Sequence, residues 1–248
     1  MRTPVPPARF HELIAAVCED RYAAKDLRTY GEIEDWDVSE IEDFSYAFEG
    51  RATFNRDLSR WDTSRATTMR CMFADARTFN QPLGDWDVSR VTDMSCMFLA
   101  AEAFNHPLER WNVGRVTDMA LMFENTYAFN QPLAGWDVGK VTDMSSMFQS
   151  ARAFHQPLER WDVSRVVDMS EMFSGTWVFS HPLGDWDVSR LRYTWRMFEE
   201  VGEFAHSLQG WILSSPQTWP YPPVEGQPPP RRRPRTASPL ARRHRSFP

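Results

Sequence analysis

The stretch Phe79-Asn80-Gln81-Pro82-Leu83-Gly84-Asp85-Trp86-Asp87-Val88-Ser89-Arg90-Val91-Thr92-Asp93-Met94-Ser95-Cys96-Met97-Phe98 decides how the chain reads. Its tryptophan returns as Trp36, Trp61, Trp86, Trp111, Trp136, Trp161, Trp186 and Trp211, every 25 residues without insertion or deletion. Three other columns keep the same step: Phe54 to Phe204, Leu58 to Leu208 and Phe48 to Phe198. Four columns in phase define a repeat. A unit of this size cannot bury its own apolar face, but stacked neighbours can.

Apolar spacing changes within the unit. Trp86 and Val88 are two apart, as on one face of a strand. Val91, Met94 and Met97 then step by three, which fits a tight turn or 3₁₀-like coil. Pro82 blocks a regular helix before the next Trp. Each unit therefore reads as a short parallel strand, a turn and a short helical return. The stack reads as an α/β solenoid with strands about 4.8 Å apart. The 11 Trp, 17 Phe and 12 Met residues are expected as core filling, Met suiting gaps between large rings.

The ends differ from the middle. Phe10, Leu13, Ile14, Val17 and Cys18 fall at helical spacing among Glu12, Glu19, Asp20 and Arg21, so residues 1–29 are expected to form an N-terminal helical cap over the first rung. Residues 30–214 hold the units, the one around Tyr193-Thr194-Trp195-Arg196-Met197 being degenerate. Residues 215–248 are Pro- and Arg-rich and are expected to be a disordered tail. That tail is basic, with a net charge of +6, while the first 214 residues carry −12 of the overall −6 balance.

Three cysteines, Cys18, Cys71 and Cys96, make no disulfide framework or CxxC motif. Cys71 and Cys96 share a column on adjacent rungs, a spacing that does not exclude a bond. The N-terminus lacks the apolar stretch of a signal peptide, and no run of about 18 apolar residues would span a membrane. An intracellular location is expected over a surface one, and a monomer over an oligomer.

The run Trp-Asp-Val-Ser-x-Val-Thr-Asp-Met-x-x-Met-Phe, followed by Phe-Asn-Gln-Pro-Leu, resembles the repeat of the BspA-like surface-protein family over roughly residues 30–214. The resemblance implies a curved, leucine-rich-repeat-like solenoid with a parallel sheet on one face. Many members of that family are adhesive surface proteins. The resemblance brings no catalytic residues with it.

Several polar columns could carry function. Asp37, Asp62, Asp87, Asp137, Asp162 and Asp187, with Asn112, form one. Three readings compete for it: a Ca²⁺-type cation between rungs, Asx-type bonding at a turn, or pairing with the bases three residues on, Arg65, Arg90, Arg115, Lys140, Arg165 and Arg190. Matching phase favours turn bonding plus pairing. Before each Trp, Asp35, Arg60, Asp85, Arg110, Gly135, Arg160 and Asp185 mostly alternate in sign, as neighbouring rungs would select. Asn55, Asn80, Asn105 and Asn130 suggest an amide ladder. His106, His181 and His206 occupy the next column, where two ligands without a placed carboxylate argue poorly for metal. In the tail, Arg231, Arg232, Arg233 and Arg235 form a basic patch suited to nuclear targeting or nucleic acid.

No nucleophile elbow, zinc-protease motif, P-loop or dinucleotide fingerprint is present. No enzyme activity, cofactor or metal is expected. The leading expectation is a scaffold that binds an unknown protein or polymer through an exposed sheet face lined by the Asp and basic columns. A nucleic-acid or nuclear adaptor acting through the tail is the alternative, and a calcium-dependent adhesin a weaker one.

Overall fold

The computed structural model describes residues 3–202, 204, 206–208, 210 and 211. The tail, with Arg231, Arg232, Arg233 and Arg235, lies outside them.

An α/β solenoid does not form. Among the described residues there is no β-strand and no sheet, and the α-helices are two short ones near the start, α1 (Phe10–Cys18) and α2 (Ala24–Tyr30). Each 25-residue unit is instead a chain of turns. Trp86 N–H bonds Leu83 O at 3.1 Å, Val91 N–H bonds Val88 O at 3.0 Å, and Met97 N–H bonds Met94 O at 3.2 Å. Apolar side chains three apart thus sit at successive corners. The Trp-Asp-Val segment does not grow into a strand because Asp87 Oδ1 accepts the Ser89 N–H at 2.9 Å, which turns the chain at once.

The helical return is absent for a related reason. From Met94 on, alternate N–H groups leave the unit: Met94 to Asp118 O (3.0 Å), Cys96 to Ala120 O (2.8 Å), Phe98 to Met122 O (2.9 Å) and Ala100 to Glu124 O (2.7 Å). The N–H groups of Met97, Leu99 and Ala101 close local turns. To point alternate groups outward, the backbone passes through the left-handed region at Cys96 (φ 57°) and Ala100 (φ 54°). The same two positions recur in each unit, as at Cys71 and Asp75 or Leu121 and Asn125. Left-handed geometry costs an L-residue roughly 1–2 kcal/mol, and Gly50 and Gly175 ease it where they occupy the second position. What remains of a sheet is a row of isolated parallel bridges: Asp43, Thr68, Asp93, Asp118, Asp143, Asp168 and Tyr193, each to the next.

The inward columns form one core. Trp86, Met94, Met97, Phe98, Phe104 and Leu108 are all buried in the same cluster as their counterparts along the stack. Each indole also reaches back one unit: Trp61 Nε1 donates to Ile33 O, Trp86 to Leu58 O, Trp111 to Leu83 O, and the series runs on to Trp211 and Leu183 O, at 2.8–3.1 Å. Buried indole N–H groups thereby meet buried carbonyls and none is orphaned.

Phe10, Leu13 and Ile14 of α1 join this core. Phe10 packs edge-on to Phe44 with ring centres 5.2 Å apart. Ahead of it, Val5 N–H bonds Asp37 O at 2.9 Å, bridging Pro4 to the first unit. α2 ends at Gly31 (φ 79°), whose N–H bonds Leu27 O at 2.9 Å. No helix among the described residues is long and apolar enough to cross a membrane.

Candidate functional site

The Asp column is turn bonding. Oδ1 of Asp62, Asp87, Asp162 and Asp187 accepts the N–H two residues on at 2.9–3.0 Å. Asp137 does so with Gly139, and Asn112 with Gly114, at 3.2 Å. Bonding to Ser64 and Ser164 hydroxyls and N–H groups holds the Asp62 and Asp162 carboxyls below their usual range. Asp187 is lowered in the same way by Ser189.

The expected pairing with the basic column does not form. Among the described residues no ion pair joins one of these Asp to the base three on. Arg65 reaches Glu42 instead, at 3.0 Å. Arg90, Arg115, Lys140, Arg165 and Arg190 are exposed. Arg165 and Arg190 act on Asp162 and Asp187 only as nearby charge. A three-residue step across a turn leaves the long base in water, where an ion pair gains little. The sign-alternating column does pair at Arg60–Asp35 (2.6 Å) and Arg110–Asp85 (3.1 Å). No such pair joins Arg160 to Asp185.

The Asn column is a ladder of another kind. Oδ1 of Asn55, Asn80, Asn105 and Asn130 accepts the backbone N–H of the same position in the next unit, at 2.8–3.0 Å. Gln81, Gln131 and Gln156 reach back to the same Asn residues through Nε2. His106, His181 and His206 stand in for Gln, each with Nε2 at 3.2–3.4 Å from a carbonyl of the preceding unit. Among the described residues no group of three or more His, Cys, Asp or Glu side chains is placed to hold a metal ion.

Sequence reasoning passes over a second Asp column. Asp43, Asp93, Asp118, Asp143 and Asp168 lie at the isolated bridges, and each Oδ1 accepts the N–H two residues on at 2.7–2.9 Å. The signal was available, because Asp-x-Ser occurs twice in the unit quoted first. Burial, aided by the charges of Asp143 and Asp93, raises the Asp118 carboxyl.

The outward side of the bonded turn segment, residues 43–50 and their equivalents, is the turn face. Centre-to-centre distances between stacked rings show how it sits. They are 5.3–5.9 Å down the Phe48 column. They are 6.0–6.4 Å down the Phe54 column. Trp36–Trp61, Trp61–Trp86 and Trp111–Trp136 stand at 6.3–6.4 Å. With near-parallel rings these distances track the local step, so the stack bends with its turn face inside and its Asp and basic columns on the Trp side outside.

The turn face varies from unit to unit. The first left-handed position is Tyr46, Cys71, Cys96, Leu121, Ser146, Glu171 and Arg196 in succession. Cys71, Ala74 and Cys96, with Leu99 and Leu121, form a small apolar cluster separate from the main core. Next along come polar groups: Asn125 Nδ2 donates to Glu124 at 3.2 Å, and Gln149 bonds Glu171. Burial, with the nearby charge of Glu171, pushes the Glu124 carboxyl up to about 7. Tyr46 stands exposed at one end, and Tyr193 and Trp195 at the other. Arg196 lies 4.2 Å over the Trp195 ring. In another varying column, Arg152 is sandwiched between Tyr127 (4.6 Å) and exposed Trp177 (4.8 Å).

Among known families, a model described as a Mycoplasma protein of unknown function, DUF285, matches residues 19–136 and 122–220. No curated protein and no solved structure matches.

Proposed function

The chain belongs to the DUF285 family of unknown function, and we propose that it is a non-catalytic scaffold that binds a macromolecular partner through its turn face. One observation carries the reading. Within this single chain, the positions that repeat most strictly are those that hold the stack, while the first left-handed position of the turn face takes six residue types in seven units. A constant column has a structural task in each unit, as the Asp and Trp columns do. A column free to differ is where a specific surface can be written. Tyr and Trp, among the residues most often dominant in interfaces, stand exposed there as Tyr46, Tyr193 and Trp195. The inner side of a bent stack gathers residues of many units around one ligand. The resemblance of the units to BspA-like surface proteins supports an interaction or adhesion role.

The test compares two variants in capture from cell-surface and lysate fractions and on glycan arrays. Tyr46→Ala with Gln149→Lys and Trp195→Ala alters the turn face. Arg90→Glu with Lys140→Glu and Arg190→Glu reverses charge on the outer side. The turn-face variant is expected to lose the species that wild type and the outer variant retain. Loss by the outer variant alone would move the binding surface to the basic column and end this reading.

A further inference from the structure

We propose that Cys71 and Cys96 form a reversible disulfide between neighbouring units, a redox-modification site on the turn face. The two residues hold the same position in consecutive units, and both are left-handed, with φ 51° and 57°. Their backbones are held alike: Cys71 N–H bonds Ser95 O at 2.9 Å and Cys96 N–H bonds Ala120 O at 2.8 Å. The bridge between Thr68 and Asp93 fixes the register three residues before each. Neighbouring parallel backbones stand about 4.8 Å apart, inside the roughly 4.4–6.8 Å Cα separation of disulfides. Both thiols are buried in one cluster with Ala74, at 4% and 1% exposure, so they face each other more than solvent. Each thiol is the chief influence on the other, Cys71 being lowered and Cys96 raised. The charge of Arg70 favours a thiolate at either sulfur. Cys71, the more exposed of the two at 4% against 1%, is assigned as the attacking sulfur and Cys96 as the resolving one.

The step balances with a peroxide as the two-electron oxidant. The Cys71 thiolate attacks one peroxide oxygen, giving a sulfenic acid and, after protonation, one water. The Cys96 sulfur, losing its proton, then attacks the Cys71 sulfur, and the hydroxyl leaves as the second water. Two thiols and one hydrogen peroxide become one disulfide and two waters. Side chains related by the unit step keep their Cβ atoms near that step, longer than the roughly 3.8 Å usual in disulfides. Closure therefore draws two units together against their packing, and a bond under tension is readily reduced.

The experiment uses the full chain. It is treated with hydrogen peroxide, its remaining thiols are alkylated, and it is digested with trypsin without reduction. The expected product is peptide 71–77 linked to peptide 91–110, both bounded by arginines. Cys18 stays alkylated, and dithiothreitol restores both other thiols. In Cys96→Ser, Cys71 is expected to stop at a sulfenic acid that dimedone traps, while Cys18→Ser leaves the link unchanged. The proposal is overturned if both thiols remain alkylatable after peroxide. It is equally overturned if they oxidise separately to sulfinic acids, or if Cys18 is the linked partner. Circular dichroism of each variant shows whether the fold is retained, and the wild-type digest decides the matter without any variant.

Discussion

Replacing Trp111 by Phe separates an indole's hydrogen bond from its bulk. Trp111 is buried, and its Nε1 donates to Leu83 O at 2.9 Å. A phenyl ring can keep the stack on Trp136, now at 6.4 Å and 5°, but it cannot donate. Leu83 O also accepts the Trp86 N–H at 3.1 Å, so one of its two bonds survives. The penalty then sits at the low end for a buried acceptor, about 1 kcal/mol. The smaller ring leaves a gap costing about 1 kcal/mol more. The expected loss is roughly 1.5–3 kcal/mol, against about 3–5 kcal/mol for Trp111→Ala. Trp36 is the control. Its Nε1 donates to Gly31 O and the Tyr22 hydroxyl, both at 3.2 Å and part-buried, so Trp36→Phe should cost little beyond the gap itself, about 1 kcal/mol. Urea unfolding followed by far-ultraviolet circular dichroism measures both, provided the slope is unchanged. Equal costs at the two sites would refute the view that indole-to-carbonyl bonds tie each unit to the one before.

Asp162→Ala should cost about 1 kcal/mol and Asp162→Asn less, while Arg165→Glu stays within about 0.5 kcal/mol; the reverse order in urea would restore ion pairing. Because Asp62, Asp162 and Asp187 are lowered, their contribution is present above about pH 4 and is lost as pH falls through their folded values, which an acid titration of the unfolding midpoint reads. Glu124 works in the opposite sense: its carboxyl is raised from 4.5 to about 7, so folding takes up a proton and stability declines as pH rises through that window. Glu124→Gln should flatten the thermal midpoint between these values and leave the variant the more stable above them; an unchanged slope would assign the decline elsewhere. In Gly202→Ala, the new Cβ would collide with the Trp177 carbonyl, so the last units should exchange amide hydrogens faster while those around Trp86 do not. Removing the sandwiched guanidinium in Arg152→Ala should cost about 1 kcal/mol and shift Trp177 fluorescence, measured with the other tryptophans as background.

Much of the core was legible because identical side chains at a fixed step can only stack. The Trp, Met and Phe columns lie where their periodicity puts them. Secondary structure was misread at a definite point. The two-residue step from Trp86 to Val88 has a strand's spacing, but periodicity reports side-chain direction and not where N–H groups bond. Asp87, two residues before Ser89, is read as turn bonding from the sequence, and the structure shows what that bond entails, since an Asx bond there ends extension. The left-handed positions were half visible. Gly50, Asp75, Asn125 and Gly175 are residue types that tolerate positive φ, whereas Tyr46, Leu121 and Arg196 give no hint of it. At Tyr46 and Leu121 the neighbour's carbonyls, Arg70 O and Ser145 O, set the backbone, and a single unit's sequence does not show its neighbour. The turn face was overlooked for the same reason that it is of interest, because attention to repeating columns discards those that vary.

The alternate bonding of the turn segment has a direction. Cys96 N–H meets a carbonyl of the following unit, as Cys71 and Leu121 N–H groups do. The first unit therefore presents carbonyls on this face that no earlier unit can meet. At Ser45 O the His11 ring takes the vacant donor's place, with Nε2 at 2.8 Å. The stack is thus polar, like a filament with a plus and a minus end. Two copies continuing the pattern could meet only head to tail, a contact that propagates and does not close. Helix α1, which carries His11, covers this end of the stack and is expected to block such head-to-tail addition there. Its removal should appear as concentration-dependent linear assemblies in light scattering.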